Sequence, residues 1–399
     1  MRNRVLIIAG YFDIFCGYQE ISLAKELAKK SCDVYVISSS LTNPIFSLDM
    51  LRKIGLKSRR YPVGHTHYDG YVIIRDKSIF ECRAMVWTKN IFKIIKDIDP
   101  ALVIAPYTGQ LLPIAAGIIK KKCNYSLITI FGDNHARTSH LSKPLRYIKN
   151  ILFMLSKGFL YRYNCKQSDR ILINTEESKN ILNLYIRKID NKKVEMFPLG
   201  FDKETFFFDQ NLRGIGRQEF GIKDECVLIS VGKIVKEKEY EILLNIFRSM
   251  SREGLNFKVL LVGFDNSPYA KKINYDISDD DILKNVVFAL PFSSHNQLNK
   301  YYNLSDIAIW HKQPAISIQQ GMGTGIDVII PFTQCVNHLI NNSTRGTFFK
   351  YKNYRELQSV LEKKLKKYEY SEKERLLRQK MNMELSFSNL VNKIEDNMC

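Results

Sequence analysis

The stretch from His311 to Ile330, HKQPAISIQQGMGTGIDVII, has the makings of a ligand site but lacks an acid. It reads as a loop, a glycine-punctuated helix and a buried strand, and no carboxylate appears before Asp327. Any chemistry here falls to lysine, amide and hydroxyl side chains and to backbone NH groups. The other chemistry-bearing residues exclude several classes. Eight cysteines (16, 32, 82, 123, 165, 226, 335, 399) are scattered with no CxxC and no histidine pairing. Neither a zinc site nor a disulfide framework is indicated, and a reducing cytoplasm fits this usage best. DISDDD (276–281) is the one acidic cluster. It reads as a solvated loop between two strands, so no metal site is assigned to it.

The charge balance points to an acidic partner. Sixty Lys and Arg stand against 41 Asp and Glu, a net of +19. Nucleic acid, anionic lipid and phosphate-bearing substrates all fit such a surplus, as does plain Lys-, Ile- and Asn-rich usage. A nucleic-acid binder should interleave aromatic platforms with arginine or carry a known motif. Neither is visible, and nucleic acid is not an expected partner. Residues 110–170 hold eleven Lys/Arg against only Asp133 and Asp169. Within them SKPLRYIKNILFMLSKGFLYRYNCK (142–166) joins cations to an apolar, aromatic face, as an interfacial segment on an anionic membrane would. A core helix with a solvated basic face gives the same pattern. No apolar run approaches the roughly 18 residues that span a bilayer, and the short run in MRNRVLIIAGYFD is read as a first strand rather than a signal peptide.

The elements that must position these residues alternate. VLIIAG (5–10), DVYVISS (33–39), ALVIAP (101–106), SLITIFG (126–132) and DRILINT (169–175) are short apolar runs separated by helical patterns such as EISLAKELAKK (20–30). The pattern restarts with CVLISVG (226–232), KVLLVG (258–263), VVFALP (286–291), DIAIW (306–310) and DVIIPF (327–332). This βαβ alternation predicts an α/β protein with parallel sheets covered by helices. The restart predicts two Rossmann-like, doubly wound domains, joined near FPLGFDKETFF (197–207) and facing a cleft. Ligands of such sheets bind at the carboxyl ends of the strands. The expected boundaries are 1–200, 201–370 and a closing C-terminal helix, 371–399, packing back toward the first domain.

Several motifs in this order resemble the GT-B glycosyltransferases, in particular the retaining family-4 group. GYQE (17–20) resembles that family's GGxE turn, with Gly17 and Glu20 kept. GFDKETF (200–206) resembles GVDxxxF, and VGKIVKEKEYEILLNIF (231–247) resembles the VGRL-x-x-EKG signature. LVGFD (261–265), FSSHNQLNKYYNLSDIAI (292–309), RGTFF (345–349) and ELSFSNLVNKI (384–394) follow in the family's order. The resemblance implies transfer of a sugar from a nucleotide-diphosphate sugar to a glycan or lipid-linked acceptor, without a metal or other cofactor. It places the work in surface polysaccharide assembly, such as O-antigen, capsule or lipopolysaccharide, at the cytoplasmic membrane face. The rival readings are a non-catalytic partner subunit of the same fold and a phosphorylase or epimerase built on it.

The resemblance also assigns roles. A leaving diphosphate gains charge as the sugar bond breaks, and cations must sit against it. Lys233 and Lys238 follow Gly232 where the family carries Arg and Lys. At the first position lysine supplies a point charge instead of a bidentate fork. Gly17 lets backbone approach phosphate, while Glu20 either belongs to that turn or favours a helix dipole. Aligning QGMGTG (320–325) with the family's EAMACG puts Lys312 and Gln320 where two glutamates are expected. An amide can still accept from a ribose hydroxyl, whereas an ammonium only donates. Gln313 takes over hydroxyl binding if the register shifts by one. The backbone from Ile316 through Ser317 to Ile318 is expected to meet the diphosphate. In ITIFGDNHARTSH (128–140), Asp133 and His135 are the polar groups expected to hold an acceptor or donor sugar and serve catalysis. Gly321, Met322 and Gly323 either belong to the donor loop or permit close helix packing.

Overall fold

Strands whose residues are apolar on both faces can only be buried on both faces, and here they build two parallel sheets. The computed structural model describes residues 4–16, 18–30, 32–46, 48–53, 55–82, 85–132, 143–186, 189–312 and 315–395. The chain divides into two compact units. One comprises the chain up to Pro198 together with residues from Val391 onward, and the other is Leu199–Leu390.

The first unit contains β1 (Arg4–Ile8), β2 (Asp33–Ser39), β3 (Gly64–Tyr68), β4 (Tyr71–Asp76), β5 (Ser78–Cys82) and β6 (Met85–Thr88). It continues with β7 (Leu102–Pro106), β8 (Ser126–Phe131), β9 (Arg170–Ile173) and β10 (Val194–Met196). The main sheet runs β10-β9-β8-β7-β1-β2-β4-β3, and β5 pairs with β6 separately. All neighbours in the main sheet are parallel except β3 and β4, which form a hairpin. Residues 64–88, unassigned from sequence, thus contribute four strands. A single helix, Lys143–Gln167, covers the segment read as interfacial.

The second unit contains β11 (Cys226–Val231), β12 (Phe257–Phe264), β13 (Val287–Pro291), β14 (Ile307–Ile309), β15 (Asp327–Phe332) and β16 (Gly346–Lys350). Their order, β13-β12-β11-β14-β15-β16, is all parallel and is the 3-2-1-4-5-6 order of a dinucleotide-binding sheet. Alternate residues feed opposite layers. Ile229, Val231, Ala308 and Trp310 pack with Ile318 and Met322 on one face. Leu228, Leu261, Ile309 and Ile329 pack with Leu243, Leu244 and Phe247 on the other.

The structure corrects two readings. The segment from 371 is not one closing helix but two, Glu372–Asn382 and Phe387–Glu395, and the first belongs wholly to the second unit. Arg375 explains this: it is buried and donates to the carbonyls of Thr324, Ser305 and Tyr302. DISDDD is not a solvated loop throughout. Asp276 lies on the helix Pro268–Ser278, and Asp280 accepts from the NH groups of Ile282 and Leu283 and from Arg248.

Candidate functional site at the switch point of the second sheet

In the second unit the chain leaves β11 and β14 toward opposite faces, so their carboxyl ends diverge and leave room for a ligand. The backbone there is built for close approach. Gly232 has φ +152°, and a Cβ on it would lie 2.3 Å from the Lys238 ammonium nitrogen. Gly263, at the end of β12, has φ +124°, and a Cβ there would lie 2.3 Å from the Gly232 carbonyl oxygen. Only glycine fits either position. Gly263 is no candidate from sequence, although its place in LVGFD at a strand end signals a close backbone approach.

Lys238 ends a short turn, Lys236–Lys238, and lies half-buried with its ammonium against Gly232. Burial draws its pKa below the ordinary lysine value. Among the described residues it pairs with no carboxylate. An uncompensated, partly desolvated cation facing open backbone is an anion-binding arrangement. Lys233 is more exposed, at 68%, and its ammonium lies 4.0 Å from the Asp265 carboxylate. His311 is buried, and desolvation lowers its pKa to about 4, so it is neutral. Its Nε2–H donates to the Lys238 carbonyl at 2.6 Å, and Tyr240 packs edge-on against its ring. Lys312 pairs with the Glu239 carboxylate and donates to the Glu237 carbonyl at 3.4 Å. Its ammonium is thus already engaged within the protein.

The helix Ser317–Gly323 carries the remaining candidates. The Ser317 side chain does not face outward to a phosphate. Its hydroxyl donates to the Val231 carbonyl at 3.1 Å and accepts from the Trp310 indole NH at 3.0 Å. The Ile318 NH is likewise spent, on the Ala315 carbonyl at 3.0 Å. The NH groups of Ile316 and Ser317 find no acceptor among the described residues. Gln320 is buried, and its amide makes no hydrogen bond to them. Gly321 and Gly323 serve packing, since a Cβ would lie 3.1 Å from Tyr302 or 2.5 Å from Phe201 respectively. Gln313 lies outside the described residues.

In the first unit the equivalent switch point falls between β1 and β7. Gly17, Asp133 and His135 lie outside the described residues. Two other carboxylates follow β1, Asp13 before the helix Gln19–Lys29 and Glu20 in its first turn. Asp13 is buried and accepts from the Asn43 NH at 3.0 Å and the Tyr61 hydroxyl at 3.2 Å, and desolvation raises its pKa. Glu20 accepts from the Tyr107 hydroxyl on both oxygens, at 2.8 and 3.0 Å. Burial raises its pKa to about 7. The burial of Asp13 is a tertiary fact that no local sequence signal announces.

A cavity of about 420 Å³ lies elsewhere, beside the amino ends of β14 and β15, lined by Asp306, Asp327, Lys364 and Arg375. Two of its carboxylates are already paired, Asp327 to Lys364 at 2.5 Å and Asp306 to Arg213 at 2.7 Å, and they set negative charge against any anion there. That makes it a poorer anion site than the switch point.

Comparison with known proteins bears on the family and the fold. Residues 214–380 match the family model for glycosyl transferases group 1. An uncharacterized glycosyltransferase of Methanocaldococcus jannaschii is 25% identical over 177 residues, 44% of this chain and 42% of that protein. The chain therefore aligns with less than half of that relative's length. The alpha-monoglucosyldiacylglycerol synthase of Acholeplasma laidlawii is 19% identical over 289 residues, 70% of each chain. Among solved structures, Anabaena HepE in complex with UDP superposes with a TM-score of 0.70 at 12% identity, covering 99% of both chains. The fold is that of the GT-B glycosyltransferases.

Proposed function

We propose that this chain, whose residues 214–380 form a glycosyl transferases group 1 domain, moves a sugar from a nucleotide-diphosphate sugar to a lipid-linked or glycan acceptor. Transfer retains configuration and contributes to surface polysaccharide assembly. The observation that carries the reading is Lys238, half-buried and uncompensated against Gly232 at the switch point. When the bond from the sugar's anomeric carbon to the diphosphate oxygen breaks, the electron pair leaves with the diphosphate. Lys238 and Lys233 stabilise that growing charge. The acceptor hydroxyl attacks the anomeric carbon from the same face, and its proton passes to the departing diphosphate oxygen. Such a step needs positioning and charge rather than a protein acid and base. It therefore tolerates Lys312 and Gln320 where the family carries glutamates. The lysines supply the neutralisation that a metal ion supplies in other transferases, and none is required.

The acceptor class rests on two supports. A relative bears the name of a diacylglycerol glucosyl synthase. The helix Lys143–Gln167 exposes Leu145, Ile148 and Leu152 along one face. An apolar face next to a basic sequence suits an anionic bilayer surface.

Calorimetric titration with UDP, GDP and ADP tests the donor site. One nucleotide should bind, and Lys238→Ala should weaken it about tenfold or more. Failure of well-folded protein to bind any of them would favour the partner-subunit reading. Activity with the matching sugar nucleotide should persist in excess chelator.

A further inference from the structure

Lys312 stands where the resemblance places a carboxylate, and it faces Glu239, where the VGRL-x-x-EKG signature ends in glycine. Both replacements lie at the same turn. Glu239 has φ +48° and ψ +61°, the left-handed conformation that glycine adopts freely and glutamate rarely does. The turn is held from one side by two consecutive residues. His311 donates to the carbonyls of Lys238 and Glu239, at 2.6 and 3.4 Å. Lys312 donates to the Glu237 carbonyl at 3.4 Å and pairs with the Glu239 carboxylate. On the other side the Lys238 and Glu239 NH groups bond to the carbonyls of Val235 and Lys236, at 3.0 Å each. The peptide planes around Lys238 are thus fixed, and with them the direction in which its side chain leaves toward Gly232. Only 10% of the Lys312 side chain is exposed, against 53% of Glu239. The ammonium is therefore the inner partner, shielded at the rim by its carboxylate.

We propose that Lys312 and Glu239 form a reciprocal pair that positions Lys238 for the leaving diphosphate. Lys312 is then a positioning residue and not a ligand of the donor sugar. This rests on the donor-site reading above. In that reading the missing carboxylate is not a lost catalytic group: the chain has exchanged a sugar-binding acid for a clamp on its phosphate-binding lysine.

A double-mutant cycle tests it, reading the Kd of whichever of UDP, GDP and ADP binds most tightly. Lys312→Ala should weaken binding about five- to tenfold in the native background and less than about twofold in Lys238→Ala. Glu239→Gly provides a second probe that does not depend on Lys312→Ala folding, because glycine keeps the turn while removing the partner carboxylate. It should weaken binding in the same background-dependent way. The exchanged pair, Lys312→Glu with Glu239→Lys, should recover affinity relative to Lys312→Glu alone, which a purely structural loss would not do. Equal losses in both backgrounds would mean that Lys312 contacts the ligand itself, overturning the proposal and leaving the donor site intact. If the unmodified protein binds none of the three nucleotides, the donor reading fails first and the proposal with it.

Discussion

Glu20 shows what a single buried carboxylate does to the pH dependence of this protein. It is 2% exposed and among the described residues receives only the Tyr107 hydroxyl as a side-chain donor, so burial outweighs hydrogen bonding and lifts its pKa from 4.5 to about 7. The folded state therefore holds a proton that the unfolded chain releases at lower pH. The stability linked to Glu20 is complete below about pH 4.5 and is lost as pH rises through 7, amounting to about 3 kcal/mol. Glu20→Gln removes the linkage. The stability of native protein minus that of the variant, from urea unfolding, should fall by this amount between pH 4.5 and 7.5. A constant difference would show that Glu20 is ionised in the fold. His311, lowered to about 4, works in the opposite sense. It contributes stability above pH 6.5 that is lost as pH falls toward 4, and the difference measurement cancels it because both proteins carry it.

At the scale of elements, the second unit depends on how one helix end is satisfied. The helix His295–Leu304 presents its last carbonyls to the interior, where no water can bond them. Arg213 donates to the carbonyls of Asn303 and Leu304, and Arg375 to those of Tyr302 and Ser305. Two guanidiniums at a helix carboxyl end also suit its dipole. Asp306 offsets part of their charge through Arg213, at 2.7 Å. Their proximity and burial lower the Arg375 pKa to about 9, with burial the larger cause. Arg375→Met keeps the bulk, takes the donor from the Thr324 carbonyl and leaves those of Tyr302 and Ser305 only the longer bonds from the Ser305 NH and Arg213, at 3.3 and 3.5 Å, so it should cost about 3 kcal/mol in urea unfolding. A loss under about 1 kcal/mol would mean that the helix end relaxes to other donors. The first unit offers the converse case, a helix with too little covering it. Leu145, Ile148 and Leu152 recur at helical spacing and are more than half exposed. Leu145→Ser with Leu152→Ser should reduce co-sedimentation with phosphatidylglycerol-containing vesicles at least about fivefold, with nucleotide affinity unchanged. Unaltered sedimentation would remove this face from any membrane role.

For the whole molecule, the net charge of +19 adds a long-range attraction to that apolar contact. Vesicle binding should weaken as salt rises from low to physiological concentration, because the Debye length shrinks to about 8 Å. Binding insensitive to salt would mean that the charge surplus is compositional. Beyond charge, the chain could fix in advance whatever depends on local pattern. Uninterrupted apolar runs such as CVLISV and KVLLV announce strands buried on both faces, and their restart at Cys226 announced a second sheet. That Gly232, Lys233 and Lys238 follow a strand end was legible because a turn signal follows CVLISV directly. The hairpin β3–β4 was legible in principle through Asp69-Gly70, both at positive φ, but β3 is polar and exposed along its whole length and carries no periodicity, so the buried β4 had no visible partner strand. What only the tertiary structure decided is where side chains distant in the chain end their reach. Ser317 turns inward because Val231 and Trp310 lie there, 86 and 7 residues away. Lys312 meets Glu239 across 73 positions because β14 lies beside β11. A sequence states which residues follow a strand; which loop lies opposite them is set by strand order, and strand order is settled only when the whole sheet is buried.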